Sequence, residues 1–294
     1  MALLPQIKTR IALHAHRDVR SVLDGDYAAT QVGRGTEFND LRDYVRGDDV
    51  KDIDWKASAR TRSLLVKRFE AVRKHTLLVI ASSGRSMDAH LVGETTKREV
   101  AVFAAGVVGL TAVRHGDQVA LAHGDAVRQH LVPPGSGELH LERCLQSFDA
   151  AATYDAAPAD LAALLGFVVK NVRRRTIALV VCDEDELDDA TVAALRRLVV
   201  QHEVLVLLVG DLDPGQVPGP RPVVDVDSGQ VLPAWVFGDR VLAEQYAASV
   251  ATAHVDVAAR LDALGIAHER VHDEAGALAA VYRLLERHRR AGRR

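Results

Sequence analysis

Cysteine is scarce in this chain: Cys144 and Cys182 are the only two in 294 residues, and they stand in no metal-like spacing. A disulfide framework and a cysteine-built zinc site are thereby excluded, and so low a count fits a reducing compartment, with the cytoplasm as the expected location. An excess of one charge is missing too. With 37 Lys and Arg against 40 Asp and Glu, the formal net charge is -3, so no overall field draws the protein to nucleic acid or an acidic membrane. The basic clusters at 173–175 and 283–294 fall at predicted helix ends, where cations complement the helix dipole. Long hydrophobic runs are absent as well: the most apolar stretch, 100–113, is shorter than the roughly 20 residues a membrane span needs and reads as a buried helix. Also lacking are a Gly-Lys-Ser/Thr phosphate loop, a third glycine after Gly33-Arg34-Gly35 and a Gly-x-Ser-x-Gly elbow. Nucleotide-binding and serine-hydrolase templates therefore fail, and no candidate nucleophile is left.

The positive signals begin at the N-terminus. Apolar Leu4, Ile7, Ile11, Val19 and Val22 are interrupted by Lys8, Arg10, His14, His16 and Arg17, which excludes a signal-peptide core and predicts an amphipathic docking helix from Pro5. From Thr76 onward short apolar runs that end in polar residues, TLLVIASS and TIALVVCDEDE, alternate with helical stretches. Runs of that kind are strands covered on both faces, and the alternation argues for an α/β fold with a mostly parallel sheet flanked by helices. The strands 118–122 and 127–132 form a hairpin, and Pro133 to Gly137 a loop. The expected organisation is a small helix-plus-strand module over 1–72 and a sheet domain over 73–294, with a hairpin inserted near 221–237.

The densest signal is the segment 33–60, GRGTEFNDLRDYVRGDDVKDIDWKASAR. Its glycines permit unusual backbone angles and its charges of both signs are closely interleaved, so it is either a polar network or a recognition surface. Asp48, Asp49, Asp52 and Asp54 would suit a metal-dependent hydrolase, while their mixing with Arg42, Arg46, Lys51 and Arg60 points first to salt-bridged turns. Trp55 and Tyr44 are candidate partner anchors, or cement between module and sheet. The series Gly33, Gly35, Glu37, Phe38, Leu41, Arg42, Tyr44, Gly47, Asp48, Asp49, Ile53, Asp54, Trp55, Ala59 and Arg60 resembles the signature of the von Willebrand factor A-like family known as domain of unknown function 58. That resemblance implies a doubly wound sheet with helices on both faces. It also implies a non-enzymatic adaptor or co-chaperone that binds a MoxR-type AAA+ ATPase and a client protein. Glu37, Arg42, Tyr44, Asp48, Asp49, Asp54, Trp55 and Arg60 are then the candidate partner-binding residues.

Ligands of open α/β sheets bind beyond the carboxyl ends of the strands, so the loops after Ala81, Val132 and Val181 are the ones to inspect. In von Willebrand A domains such loops build a metal-ion-dependent adhesion site from hydroxyls and carboxylates, which suit hard Mg²⁺. Here Ser82 stands where the resembled pattern has its first aspartate and Gly84 where it has a serine, while Ser86 matches. Ser136 stands for the second-loop hydroxyl and Asp183 for the third-loop aspartate. A set with one carboxylate is depleted for a doubly charged ion, so the expected cofactor is none, with Mg²⁺ as the alternative, and the site is degenerate. The bland alternative has Ser82, Ser83, Ser86 and Asp183 capping the turns that follow them.

Overall fold

The computed structural model describes residues 2–14, 37–45, 48–61, 63–70, 75–91, 95–212, 223–233 and 240–291. In chain order the first elements are α1 (Leu3–His14), β1 (Glu37–Asp43), α2 (Trp55–Thr61), β2 (Leu65–Glu70), β3 (Thr76–Ser82) and α3 (Lys97–Arg114). There follow β4 (Gln118–Gly124), β5 (Gln129–Gly135), α4 (Glu138–Ala151), α5 (Leu161–Asn171), β6 (Ile177–Asp183) and α6 (Asp189–Gln201). The chain closes with β7 (Glu203–Val209), β8 (Val223–Val224), β9 (Val231–Leu232), α7 (Arg240–Ala263), β10 (Ala267–Val271) and α8 (Glu274–Ala291).

Two compact units result, one from residues 1–28 and 75–294, the other from 29–74. In the larger unit six strands stand in the order β10-β7-β6-β3-β4-β5. All neighbours run parallel except β4 and β5. Apolar residues fill both faces because each strand is covered twice: Leu77, Val79 and Ala81 join one core cluster while Leu78 and Ile80 join the other. The period of two in side-chain direction turns a wholly apolar run into two buried faces. Helices α1, α3, α4 and α8 cover the first face, and α5, α6 and the end of α7 the second. This is the doubly wound, von Willebrand factor A-like arrangement, and strand order reverses between β3 and β6.

The expected 1–72 module is divided differently, since α1 belongs to the sheet unit. Leu4, Ile7 and Ile11 are buried in the first core cluster, and a Cβ on Gly106 of α3 would come within 2.4 Å of the Ile7 Cδ1. The first amides of α1, at Leu3 and Leu4, donate to the two Glu142 carboxylate oxygens at 2.8 and 2.7 Å. That carboxylate on α4 satisfies donors a helix start otherwise leaves open, which is why α1 begins at Leu3 rather than Pro5. Edge strand β5 likewise runs on through Pro133 and Pro134, which had read as loop, because an edge position tolerates residues without an amide proton.

The smaller unit pairs β1 with β2 antiparallel, from Glu37 opposite Glu70 to Asp43 opposite Leu65, with a register shift between Phe38 and Asp40. Ile53 bridges to Val66, and both are buried.

Candidate strand-end site

At the carboxyl ends of β3 and β6, where strand order reverses, the parallel sheet opens into a cleft of about 1550 Å³. Asp183 ends β6 and caps a short 3-10 helix over Glu184–Glu186, with Glu186 reaching back to the Asp183 amide at 3.0 Å. Ser82, the last residue of β3, donates its hydroxyl to the other Glu186 oxygen at 2.8 Å. Lys97 enters from the opposite side, as the first residue of α3. A capping box between Thr96 and Glu99 fixes that helix start, and the Lys97 amide donates to the Ala89 carbonyl at 2.9 Å. The Lys97 ammonium bonds Asp183 Oδ2 at 2.6 Å and also Asp211 Oδ1, just past β7.

A lysine in the first turn of a helix opposes the helix dipole, and this one is only 1% exposed. Burial works against its charge, yet Asp183 and Asp211 hold its pKa above the ordinary value. Asp183 is pushed by burial to about 6, with Lys97 pulling the other way. Glu184 and Glu186 are raised by burial to about 7 and about 8. Glu184 is offset in part by Arg270, whose Nε lies 2.6 Å away. The Glu186 carboxyl is turned inward and, because burial lifts its pKa to about 8, it is mostly protonated in neutral solution. Toward solvent the cleft is lined by Asp185, Asp188, Asp225 and Asp227, all exposed, with Val224 and Tyr246 beside them.

The residues read from sequence meet here only in part. Ser82, Ser83, Ser86 and Asp183 lie at this end of the sheet, and all are buried. Gly84 does too, but it is no substitute for a lost ligand: an added Cβ would stand 2.4 Å from the Ala159 backbone nitrogen. The loop before α5 packs directly on the glycine, and a serine there has no room. Ser136 is at the wrong end. Because β5 runs antiparallel, its last residue Gly135 lies opposite Val119 near the start of β4, whereas Gly124, beside Ser82, marks the cleft end. The loop that does reach the cleft is 152–160, through Tyr154, Pro158, Ala159 and Asp160. Lys97 and Asp211 were missed in the sequence. The one available signal was the Thr-x-x-Glu capping box, which seats a lysine at a helix start where a cation is unfavourable.

In the smaller unit the candidate partner-binding aspartates hold turns. Asp48 accepts two hydrogen bonds from the Arg42 guanidinium, at 2.7 and 2.6 Å, and one from the Val45 amide at 2.9 Å. The Arg42 hydrogen bond keeps its pKa below the ordinary value. Asp49 caps the turn over Val50–Asp52, and Asp54 caps α2 by accepting from the Lys56 and Ala57 amides at 3.0 Å each. Trp55 is 62% exposed, and Arg42 and Arg60 are exposed while Tyr44 is half-buried. Glu37 and Phe38 lie in β1; Gly33, Arg34, Gly35, Arg46 and Gly47 fall outside the described residues.

A family model described as protein of unknown function DUF58 matches residues 40–260. The chain belongs to that family. Among its relatives, the Mycobacterium bovis protein named Uncharacterized protein Mb1516 is 27% identical to this DUF58 chain over 287 residues, covering 95% of it and 88% of the relative. Uncharacterized protein Rv1480 of Mycobacterium tuberculosis aligns with the same identity and coverage. Among solved structures, an aerotolerance-related membrane protein from Bacteroides fragilis superposes with a TM-score of 0.44 at 13% identity, over 72% of this chain and 98% of that one. A von Willebrand factor type A protein from Catenulispora acidiphila gives 0.43 at 13% identity, over 75% and 43%. The architecture of this DUF58 protein rests on its own strand order and registers rather than on those two likenesses. Among the described residues no helix is long and apolar enough to cross a membrane.

Proposed function

We propose that this DUF58 protein is a non-enzymatic protein-binding adaptor that uses the cleft at the β3/β6 strand ends to hold a partner. The observation that carries this reading is how the polar groups of the cleft are used. The inner ones, Ser82, Asp183, Glu186 and Lys97, are engaged with one another, so they form a fixed floor rather than a nucleophile with its base. The outer ones, Asp185, Asp188, Asp225 and Asp227, are exposed acids flanked by the exposed apolar side chains of Val224 and Tyr246. Charged groups of one sign around apolar contacts suit the rim of a protein interface. Farther along α7, Val241, Leu242 and Val255 are exposed as well.

The family resemblance supplies the partner class, a MoxR-type AAA+ ATPase, and the exposed Trp55 surface of the smaller unit is the second face, for a client. The test is binding of a purified MoxR-type ATPase by surface plasmon resonance. Wild type is expected to bind, and a charge-reversed Asp185→Lys/Asp227→Lys protein to lose binding while an Arg42→Glu protein keeps it. Equal binding by all three moves the ATPase site off the cleft, and no binding by wild type sinks the ATPase assignment.

A further inference from the structure

The inner floor of the cleft has the composition of a hard-cation site: the carboxylates of Asp183 and Asp211, the Ser82 hydroxyl, the inward Glu186 carboxyl and Ser86. Ser86 is the informative member. It lines the same cleft, it is 8% exposed, and its hydroxyl is buried without a hydrogen-bond partner. A buried hydroxyl without a protein partner is free to bond a water or a ligand. Yet the two carboxylates that would neutralise a divalent ion both bond the Lys97 ammonium. A divalent ion and that ammonium cannot share the same carboxylates at bonding distance, since like charges so close repel strongly beside the buried Asp183. The oxygen set therefore does not fit a metal while the lysine is in place.

We propose that Lys97 is the resident cation of this site: its ammonium stands where a divalent ion would be held, making the wild-type protein metal-independent, and removing it opens a Mg²⁺/Mn²⁺ site on Asp183, Asp211 and Ser86. The lysine is delivered by the capped start of α3, so the cation is part of the chain and cannot be chelated away. This inference concerns the floor of the cleft and stands whether or not the adaptor reading does.

Isothermal titration with Mn²⁺, backed by electron paramagnetic resonance of free Mn²⁺, tests it on the full chain. Wild type is expected to show no saturable binding at millimolar Mn²⁺ and no change in melting temperature with EDTA or Mg²⁺. Lys97→Ala is expected to gain saturable Mn²⁺ binding and a Mg²⁺-dependent rise in melting temperature, both lost in Lys97→Ala/Asp183→Asn. Lys97→Arg, which keeps a cation, gains neither. Saturable, Asp183-dependent Mn²⁺ binding by wild type overturns the proposal, as does a folded Lys97→Ala protein that binds none. Should Lys97→Ala not fold with or without Mg²⁺, the wild-type titration decides: Asp183-dependent binding overturns the inference and its absence supports it.

Discussion

Two parts of this protein are rich in aspartate, and the same side chain behaves oppositely in them. In the smaller unit Asp48 is half-buried against the exposed Arg42 and its pKa is lowered, chiefly by that hydrogen bond. At the strand ends burial dominates, and Asp183, Glu184 and Glu186 are all raised. Acidic density alone thus says little about chemistry. What matters is whether water or protein surrounds the carboxylates, because desolvation disfavours their charged form whereas an exposed partner stabilises it. The acids of the smaller unit shape turns, while at the strand ends Asp183 and Glu184 are each held by a cation, Lys97 and Arg270, and Glu186 by the Ser82 hydroxyl and the Asp183 amide.

The sharpest way to break this comparison is to remove one cation from each region. Lys97→Met strands Asp183 in a dry site and should lower the unfolding free energy by about 3–5 kcal/mol, read from urea denaturation; similar losses from Lys97→Met and Arg42→Met would erase the distinction. Next in size is a pH effect. Glu186 rises from 4.5 to about 8 on folding, so the folded state binds the extra proton. Its contribution is fully present below the unfolded pKa and is lost as pH climbs through the folded one. Glu186→Gln should flatten the decline of stability between those limits, by on the order of a few kcal/mol across the window, in melts at stepped pH. Gly84→Ser forces a side chain against the Ala159 backbone and should cost about 1–3 kcal/mol by the same denaturation assay. Removing the α2 cap with Asp54→Ala should cost about 1 kcal/mol, confined to the unit that holds it and visible as faster amide exchange at Lys56 and Ala57. Arg42→Ala should give the smallest effect, with no resolvable change in melting temperature and a loss of the Asp48 pKa depression in a carboxylate NMR titration.

Much of the sheet was legible because wholly apolar runs have few interpretations. TLLVIAS and IALVVCD are β3 and β6 as read, and their polar followers do open onto the cleft. Ser136 illustrates a different kind of failure. The hairpin of β4 and β5 was read correctly, but an antiparallel strand delivers its end to the far edge of the sheet, and that geometric consequence removes Ser136 from the site. Lys97 and Asp211 were hidden for a third reason. They are 114 residues apart and surrounded by ordinary polar neighbours, so only the fold reveals that the two meet. Gly84 looked like a missing serine, and only the closeness of Ala159 shows that the position admits no side chain. Asp183 proved to be both the cap foreseen for it and a partner of the lysine.

The two prolines of β5 have a consequence for how copies of this protein behave in a crowded solution. An outermost strand normally offers unpaired amides and carbonyls on which a strand from another molecule can zip. Pro133 and Pro134 lie within the register shift between β4 and β5, so this border of the sheet is both bent and short of donors. A strand from another molecule therefore finds few donors along that stretch, which leaves β10 as the border of this sheet better suited to backbone pairing.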